Sequence, residues 1–394
     1  MLIAIVGKAN VGKSTFFKAA TLSEVLIANY PFATIKPNTG VGYVKVDCAE
    51  KFFNVKCNPK EGFCIKGKRF VPIELLDVAG LVPGAHEGRG LGNQFLDDLG
   101  TADVLIHVVD MSGTTDSDGK PCENYDPCKD IEFLEEEIDC WFTSILLKSW
   151  KKFAKRATLE SKDEDRVISE QFSGLKVSLS MVKNVRHKVK IDKKLRDWTE
   201  EEIKKFAKEL RKISKPIIIA ANKCDKSSFE ENYKRAKEKF PDLMIIPCSA
   251  ESELALREAA KHELIEYVPG EDEFEIKGEL NEKQKKGLNL VKENVLKKWK
   301  STGVQDCLNK AVFDFLNYVY IFPGGVNKLS DSKGNVLPDC FLMPPKSTAL
   351  DFAYRLHSDF GNNFIKAINV KKKLPVGKDY ELKRGDVIEI ISKK

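Results

Sequence analysis

Two glycines separated by four residues and followed by Lys-Ser, in Gly7-Lys8-Ala9-Asn10-Val11-Gly12-Lys13-Ser14, have the spacing of a loop that cradles a polyphosphate. Glycine at 7 and 12 permits a tight turn and an approach of backbone to phosphate that a Cβ would block. Lys13 is positioned to set its ammonium between the β- and γ-phosphates. The Ser14 hydroxyl can ligate a Mg²⁺ bridging the same groups, and Thr15 follows in the first helical turn. A second constellation, Asn222-Lys223-Cys224-Asp225, suits base reading. The Asp225 carboxylate can accept two hydrogen bonds from the N1–H and exocyclic amine of guanine, a pair that adenine does not offer. In Asp77-Val78-Ala79-Gly80, Asp77 can hold a Mg²⁺-bound water and Gly80 can turn its N–H to the γ-phosphate. Thr34, in a proline-flanked loop, can close over the ion and the phosphate, with Thr39 as the fallback. Ser249-Ala250-Glu251 can help seat the base by backbone contact.

These residues need strand ends to hold them. The run Leu2-Ile3-Ala4-Ile5-Val6 is apolar without alternation, as in a strand buried on both faces of a parallel sheet. Thr15 to Ala20 reads as the helix after the loop, so backbone N–H groups and the positive end of a helix dipole converge on one point. Further strands are expected over Gly40–Val46, Phe70–Leu76, Ala102–Asp110, Pro216–Ala221 and Leu243–Pro247. Glycines at 84, 88, 90 and 92 mark a segment whose order must come from elsewhere, such as bound nucleotide. A parallel crossover needs about a dozen residues, yet the strand after Asp110 starts roughly a hundred residues later. A subdomain is therefore inserted, with a polar loop over Ser112–Asp130 and helices over Ile131–Ala154, Asp163–Leu175 and Thr199–Ile213.

At 394 residues and 42% hydrophobic content, two to four domains with true cores are expected. The N-terminal run has no basic leader and reads as a strand, not a signal peptide. No apolar run reaches membrane-spanning length. Ten cysteines are scattered, and Cys57 and Cys64, or Cys122 and Cys128, lie too far apart for a zinc knuckle. Ordinary thiols in a reducing cytoplasm are expected. The net charge is +6, and residues 148–215 hold 21 Lys+Arg against 11 Asp+Glu. That stretch is either a solvated face or an electrostatic footprint for RNA.

Asn29-Tyr30-Pro31-Phe32-Ala33-Thr34, the glycine-rich run Leu81 to Gly92 with Asn93-Gln94-Phe95, and Asn222 to Asp225 together resemble the Obg-like GTPases, within them the YchF subfamily of archaeal type. From about residue 318, Ser347-Thr348-Ala349-Leu350-Asp351-Phe352-Ala353-Tyr354-Arg355-Leu356-His357 and Lys383 to Ile390 are similar to a TGS domain. The resemblance implies an α/β P-loop NTPase (Ras-like GTPase) domain with a mainly parallel sheet over 1–111 and 214–268. It further implies an inserted helical domain over 112–213, a helical linker over 269–317, and a ubiquitin-like β-grasp TGS domain over 318–394. A capping box at Asn281 to Gln284 opens the linker helix. One TGS helix is expected to be capped near Ser347 and to turn Leu350, Ala353, Tyr354 and His357 to its core. The resemblance also implies a cytoplasmic, ribosome-associated switch. Family members that lack the base-reading aspartate use ATP; Asp225 is retained here, so GTP ranks first and ATP second.

The glutamine that orients water in many small GTPases is replaced by Leu81, which cannot hydrogen-bond to water. Two routes to hydrolysis stay open. Asn10 can hold K⁺ against the phosphates, or it can simply brace the loop. His86 or Arg89, or a partner's group, can approach the reacting atoms. Slow intrinsic turnover is expected. The competing readings are a docking protein with negligible hydrolysis and a metabolic kinase, the latter disfavoured because the base-reading element would be idle.

Overall fold

The computed structural model describes residues 1–21, 38–78, 98–159 and 163–393. The apolar run at the N-terminus forms β1 (Leu2–Val6), whose Ile3, Ala4, Ile5 and Val6 are fully buried. It runs through the phosphate loop into α1 (Lys13–Thr21). Then come β2 (Thr39–Asp47), the one-turn α2 (Glu50–Phe53), β3 (Phe63–Ile65), β4 (Lys68–Asp77) and β5 (Val104–Asp110). The strands predicted at 40–46 and 70–76 are thus present and slightly longer, while β3 lies in what reads as a polar connection.

The insert consists of α3 (Cys128–Leu159), α4 (Glu164–Gln171), α5 (Leu179–Val189) and α6 (Glu200–Ser214). Its core is aromatic: Phe142 stacks on Phe172 at 5.3 Å, and Trp198 packs between Trp150 and Phe206. Arg211, almost fully buried, ties α6 to α3 by bonds to Asp139 and Glu135. The sequence reading omits α5, whose Val182, Val185 and Val189 do repeat at helical spacing but are β-branched residues of modest helix propensity. The chain returns through β6 (Ile217–Asn222), α7 (Phe229–Lys239), β7 (Met244–Pro247) and α8 (Ala250–Lys261).

The main sheet has the order β2-β4-β1-β5-β6-β7, with β3 paired to β4. Strands β4, β1, β5, β6 and β7 are parallel; β2 and β3 are antiparallel. From β1 the chain goes first to one side and then to the other, which makes the carboxyl ends of β1 and β5 a topological switch point, where open α/β sheets bind ligands. The register pairs Ile5 with Asp77, Asp110 with Asn222, and Ala221 with Pro247. All the predicted strand-end motifs among the described residues therefore face one edge.

After β8 (Ile265–Tyr267) and β9 (Phe274–Ile276), α9 (Glu282–Val291) starts with the Asn281–Gln284 capping box and continues through a π turn towards Trp299. Helix α10 (Val304–Lys310) places Val304, Cys307 and Leu308 in one apolar cluster with Ile3, Ile5 and Phe16. The C-terminal module comprises β10 (Val319–Pro323), β11 (Phe341–Met343), α11 (Ala349–Leu356), α12 (Ser358–Asn362), β12 (Phe364–Asn369), β13 (Leu374–Val376) and β14 (Val387–Ser392). Its mixed sheet runs β11-β10-β14-β12-β13, with β10 and β14 parallel, as in a β-grasp. The cap of α11, expected near Ser347, is Thr348, in a capping box with Asp351. The expected core face needs correction. The buried face is Ala349, Phe352 and Ala353, whereas Tyr354 is half exposed and His357 lies beyond the helix in extended backbone. The apolar stripe runs through Ala349, Phe352 and Ala353, one position ahead of the expected Leu350 and Ala353, and the helix stops at Leu356 before His357. Among the described residues, no helix is long and apolar enough to cross a membrane.

Candidate nucleotide site

The phosphate loop lies between β1 and α1, with left-handed backbone at Gly7 (φ 152°), Asn10 (φ 62°) and Gly12 (φ 94°). A Cβ on Gly7 would fall 2.5 Å from the Val108 carbonyl oxygen, and one on Gly12 would fall 2.3 Å from Asn222 Nδ2. Both glycines are therefore demanded by protein packing as well as by backbone geometry. The sequence reading assigned them to the phosphate alone. Their packing partners lie 101 and 210 positions away, beyond the reach of a local motif.

Asn222 is the joint between the phosphate and base halves of the site. It is 3% exposed. Its Nδ2 donates to the Val11 carbonyl at 2.8 Å, and its Oδ1 accepts from the Ala250 N–H at 3.0 Å. Three loops are thereby fixed by one side chain. Asp225 accepts from the Ser249 hydroxyl at 3.1 Å and lies 3.4 Å from the Lys226 ammonium. Ser249 also caps α8, and its own N–H donates to the Thr302 carbonyl, so the chain beyond α9 helps hold the base end. Asp225, Ser249 and Glu251 line one end of a groove of about 620 Å³ between α8 and α9.

Lys223, in left-handed backbone at φ 67°, does not point into that groove. Its ammonium donates to Asp110 at 2.8 Å and to Thr114 at 3.2 Å. Asp110, buried at the end of β5, also accepts from the hydroxyls of Ser112, Thr114 and Thr115. Burial opposes its ionisation, but the bonds from Lys223, Ser112 and Thr114 prevail and hold the carboxyl below its ordinary range. Sequence reasoning gave Asp110 no role. The signal was available: an aspartate ending a buried strand, with three hydroxyl residues among the next five.

The loop's own side chains divide into two groups. Lys8 turns away from the phosphate position and is 8% exposed. It pairs with Asp130 at 2.7 Å, donates to the Thr115 carbonyl, and sits 4.1 Å from the Tyr125 ring centre. Only its backbone can serve a nucleotide. Asn10 Nδ2 donates to the Gly119 carbonyl at 2.9 Å, and Gly119 packs against Ala9 so closely that a Cβ would lie 2.6 Å from its carbonyl oxygen. The start of the insert therefore braces the phosphate loop. Among the described residues the Asn10 Oδ1 has no partner, so the brace leaves free the atom that an ion would need. Lys13 and Ser14 face the other way. Lys13 donates to Asp77 at 2.7 Å, and the Ser14 hydroxyl, at the exposed N-terminus of α1, has no hydrogen-bond partner among the described residues. A hydroxyl and a carboxylate flanking the loop lysine are the oxygen donors that suit Mg²⁺. Thr15 occupies the same helical turn. Thr34, Gly80, Leu81, His86 and Arg89 lie outside the described residues, and Thr39 opens β2 opposite Leu76.

Comparison with known proteins agrees with this geometry. Residues 2–140 match the family described as 50S ribosome-binding GTPase, residues 220–325 the Obg-like GTPase YGR210-like, G4 motif-containing domain, and residues 327–392 the TGS domain. An uncharacterised GTP-binding protein of Methanocaldococcus jannaschii is 50% identical over 99% of both chains. The ribosome-binding ATPase YchF of Bacillus subtilis is 29% identical over 98% of this chain and 97% of its own. The crystal structure of a GTP-binding protein from Pyrococcus horikoshii OT3 superposes with a TM-score of 0.80 at 39% identity, covering 100% of each chain. Half identity along nearly the whole of both chains, together with the matching family models, settles kinship, and this chain belongs to the Obg-like family of P-loop GTP-binding proteins.

Proposed function

We propose that this protein is a Mg²⁺-dependent, GTP-binding switch with slow intrinsic hydrolysis, acting in the cytoplasm at the ribosome. The observation that carries the reading is the Asn222 joint, which locks the phosphate loop to a base loop whose Asp225 presents a carboxylate beside an open groove. A carboxylate with one oxygen on Ser249 retains lone pairs for the two guanine donors. On nucleotide binding, Lys13 exchanges Asp77 for phosphate oxygens, which frees that carboxylate to hold a water of the ion. Ser14 and Asp77 would hold Mg²⁺, which would supply positive charge to neutralise the phosphates.

Slow turnover follows from the apolar Leu81 where a water-orienting glutamine would stand. Asn10 Oδ1 is the available group for a K⁺ that would add positive charge at the phosphates, with His86 a weaker alternative in the switch run. Two features support ribosome association: the descriptions of matching families, and the insert's surface. Many of its cations are taken up in ion pairs, among them Arg186 with Glu164 and Asp165, Lys188 with Glu209 and Lys193 with Glu202. The exposed Lys151, Lys152, Lys155, Lys190 and Lys194 have no acidic partner among the described residues and can meet RNA phosphates.

The name of the B. subtilis relative favours ATP as a second reading. Binding of GTP against ATP, with Mg²⁺ in K⁺ or Na⁺, followed by phosphate release, tests both. At least about tenfold preference for GTP, collapsing in Asp225→Asn, is expected. Equal affinity for ATP would refute Asp225 as base reader, and tight binding without turnover in either salt would assign hydrolysis to a partner.

A further inference from the structure

Between β2 and β4 the chain makes an excursion with little core of its own. Its regular structure is the single turn of α2 and the three residues of β3. Asn54, Gly62, Lys66 and Gly67 all adopt left-handed backbone, and Phe52 is 59% exposed. So small a lobe has little apolar surface of its own beyond Phe53, Val55 and Phe63, and small elements of this kind are often held by a covalent or metal staple.

Three of the ten cysteines meet here. Cys48 follows β2 directly and donates its N–H to the Gly67 carbonyl; Cys64, on β3, pairs with Arg69 of β4; Cys57 comes from the loop between α2 and β3. Together with Glu50 of α2, they place four ligand atoms within 4.8 Å of one another. The Cys48 and Cys57 sulfurs are 3.8 Å apart. A disulfide needs about 2.05 Å, whereas tetrahedral Zn–S bonds of about 2.3 Å set two sulfurs about 3.8 Å apart. Glu50 is already oriented for the fourth position, with one oxygen 3.3 Å from Cys64 Sγ and the other accepting the Cys57 N–H at 3.0 Å, the kind of outer bond that fixes a ligating carboxylate.

Arg69 supplies an independent observation. Its guanidinium is fully buried, its Nε has no partner, and no carboxylate pairs with it among the described residues. Its Nη2 reaches the Leu337 carbonyl at 2.7 Å and Cys48 Sγ at 3.9 Å. A buried, uncompensated cation is costly. Thiolates supply the missing negative charge, and three thiolates plus a carboxylate around a divalent ion retain a net charge of about −2.

We infer that Cys48, Cys57, Cys64 and Glu50 form a tetrahedral structural site for a thiophilic divalent cation of the zinc type. Its position gives it a task. The loop behind Cys57 pairs with the TGS module, Asn58 N–H to the Val336 carbonyl at 2.8 Å and Lys60 N–H to the Pro338 carbonyl at 3.0 Å, with Lys60 also bound to Asp331. Cys48, Cys57, Phe322, Leu337 and Val387 share one apolar cluster. The metal therefore shapes the surface on which the TGS module rests, and on binding it displaces the three thiol protons to solvent.

Full-length protein purified under reducing conditions, stripped with a chelator and titrated with Zn²⁺ or Co²⁺ tests the inference. One zinc per chain, and a thiolate–cobalt absorption band of tetrahedral type, are expected from the wild-type protein. Glu50→Gln should alter the band while retaining a folded chain. Cys57→Ser with Cys64→Ser should abolish stoichiometric binding, and Cys140→Ser, on the exposed side of α3, should change neither. Absence of a cobalt band from the stripped, fully reduced wild-type protein would overturn the site. So would an intact mass short of two hydrogens under non-reducing purification, with the bridge mapped to Cys48 and Cys57.

Discussion

Two places in this molecule bring distant loops together across polar ground: the nucleotide cleft and the cysteine lobe. In the cleft, single side chains at strand ends each serve several loops. Asn222 joins the phosphate loop to Ala250, Asp110 gathers Lys223 and three hydroxyls, and Lys8 reaches Asp130 in the insert. These staples are hydrogen bonds and ion pairs laid over a broad sheet whose β5 and β6 are buried throughout. The lobe extends the sheet only by the three residues of β3, and three sulfurs and a carboxylate converge in it. The difference is instructive: polar staples suffice where the strands are already fixed by an apolar core, and a stronger centre is needed where they are not.

The sharpest way to break the cleft is Asn222→Leu. The leucine approximates the shape but leaves the Val11 carbonyl and the Ala250 N–H buried without partners. A loss of about 3 kcal/mol in unfolding free energy is expected at a cost of about 1–3 kcal/mol per orphaned group. Nucleotide affinity should fall by two orders of magnitude or so, since the loops on either side of the ligand lose their common anchor. Denaturant unfolding and nucleotide titration on the same variant measure both. Cobalt binding in the lobe should be unaffected, and a parallel loss there would show that the two regions are not independent.

The same contrast explains what could be read from sequence. Gly7 to Ser14, Asp77, Asn222 to Asp225 and Ser249 stand at the ends of apolar runs, so a local pattern specifies both the residue and its place on the sheet edge. The parallel sheet, the insert and the C-terminal module were legible for the same reason. Partners across the chain were not: nothing near Gly12 announces Asn222, and nothing near Asn10 announces Gly119. Cys48, Cys57 and Cys64 are too widely spaced for a zinc knuckle, and they meet only because β2 and β3 both pair with β4. Their convergence is a property of register, which spacing alone does not encode.

Alkaline pH offers a second probe, at the amino ends of the same strands whose carboxyl ends form the cleft. Lys215, fully buried ahead of β6, donates to the carbonyls of Gly100 and Ala102, at 2.6 Å each, in the chain leading into β5. Burial lowers its pKa from 10.5 to about 8. Between those values the unfolded chain binds the proton that the folded chain has lost, so stability contributed by this group rises with pH across that window. The stability of the wild type relative to Lys215→Met should therefore be flat below pH 8. It should climb by on the order of 3 kcal/mol between pH 8 and about 10.5. A flat difference throughout would mean that Lys215 reaches water.

A smaller perturbation addresses the lobe. Gly62 sits at φ +68°, and a Cβ there would lie 1.9 Å from the Phe70 carbonyl oxygen. Gly62→Ala must therefore shift the loop that carries Cys57 away from β4, at about 2 kcal/mol for a strained left-handed residue with a clash. If a metal centre holds the lobe, the displaced loop weakens one sulfur ligand. The variant should bind zinc less tightly, and excess zinc should recover part of its lost thermal stability. Because β1, α1 and Asn222 are untouched, its affinity for GTP should stay within about twofold of the wild type. Recovery by zinc without any change at the nucleotide would establish that the two centres are stapled separately. A drop in GTP affinity that zinc reverses would instead make the lobe a lever on the cleft, acting through β4 and the Asp77 at its end.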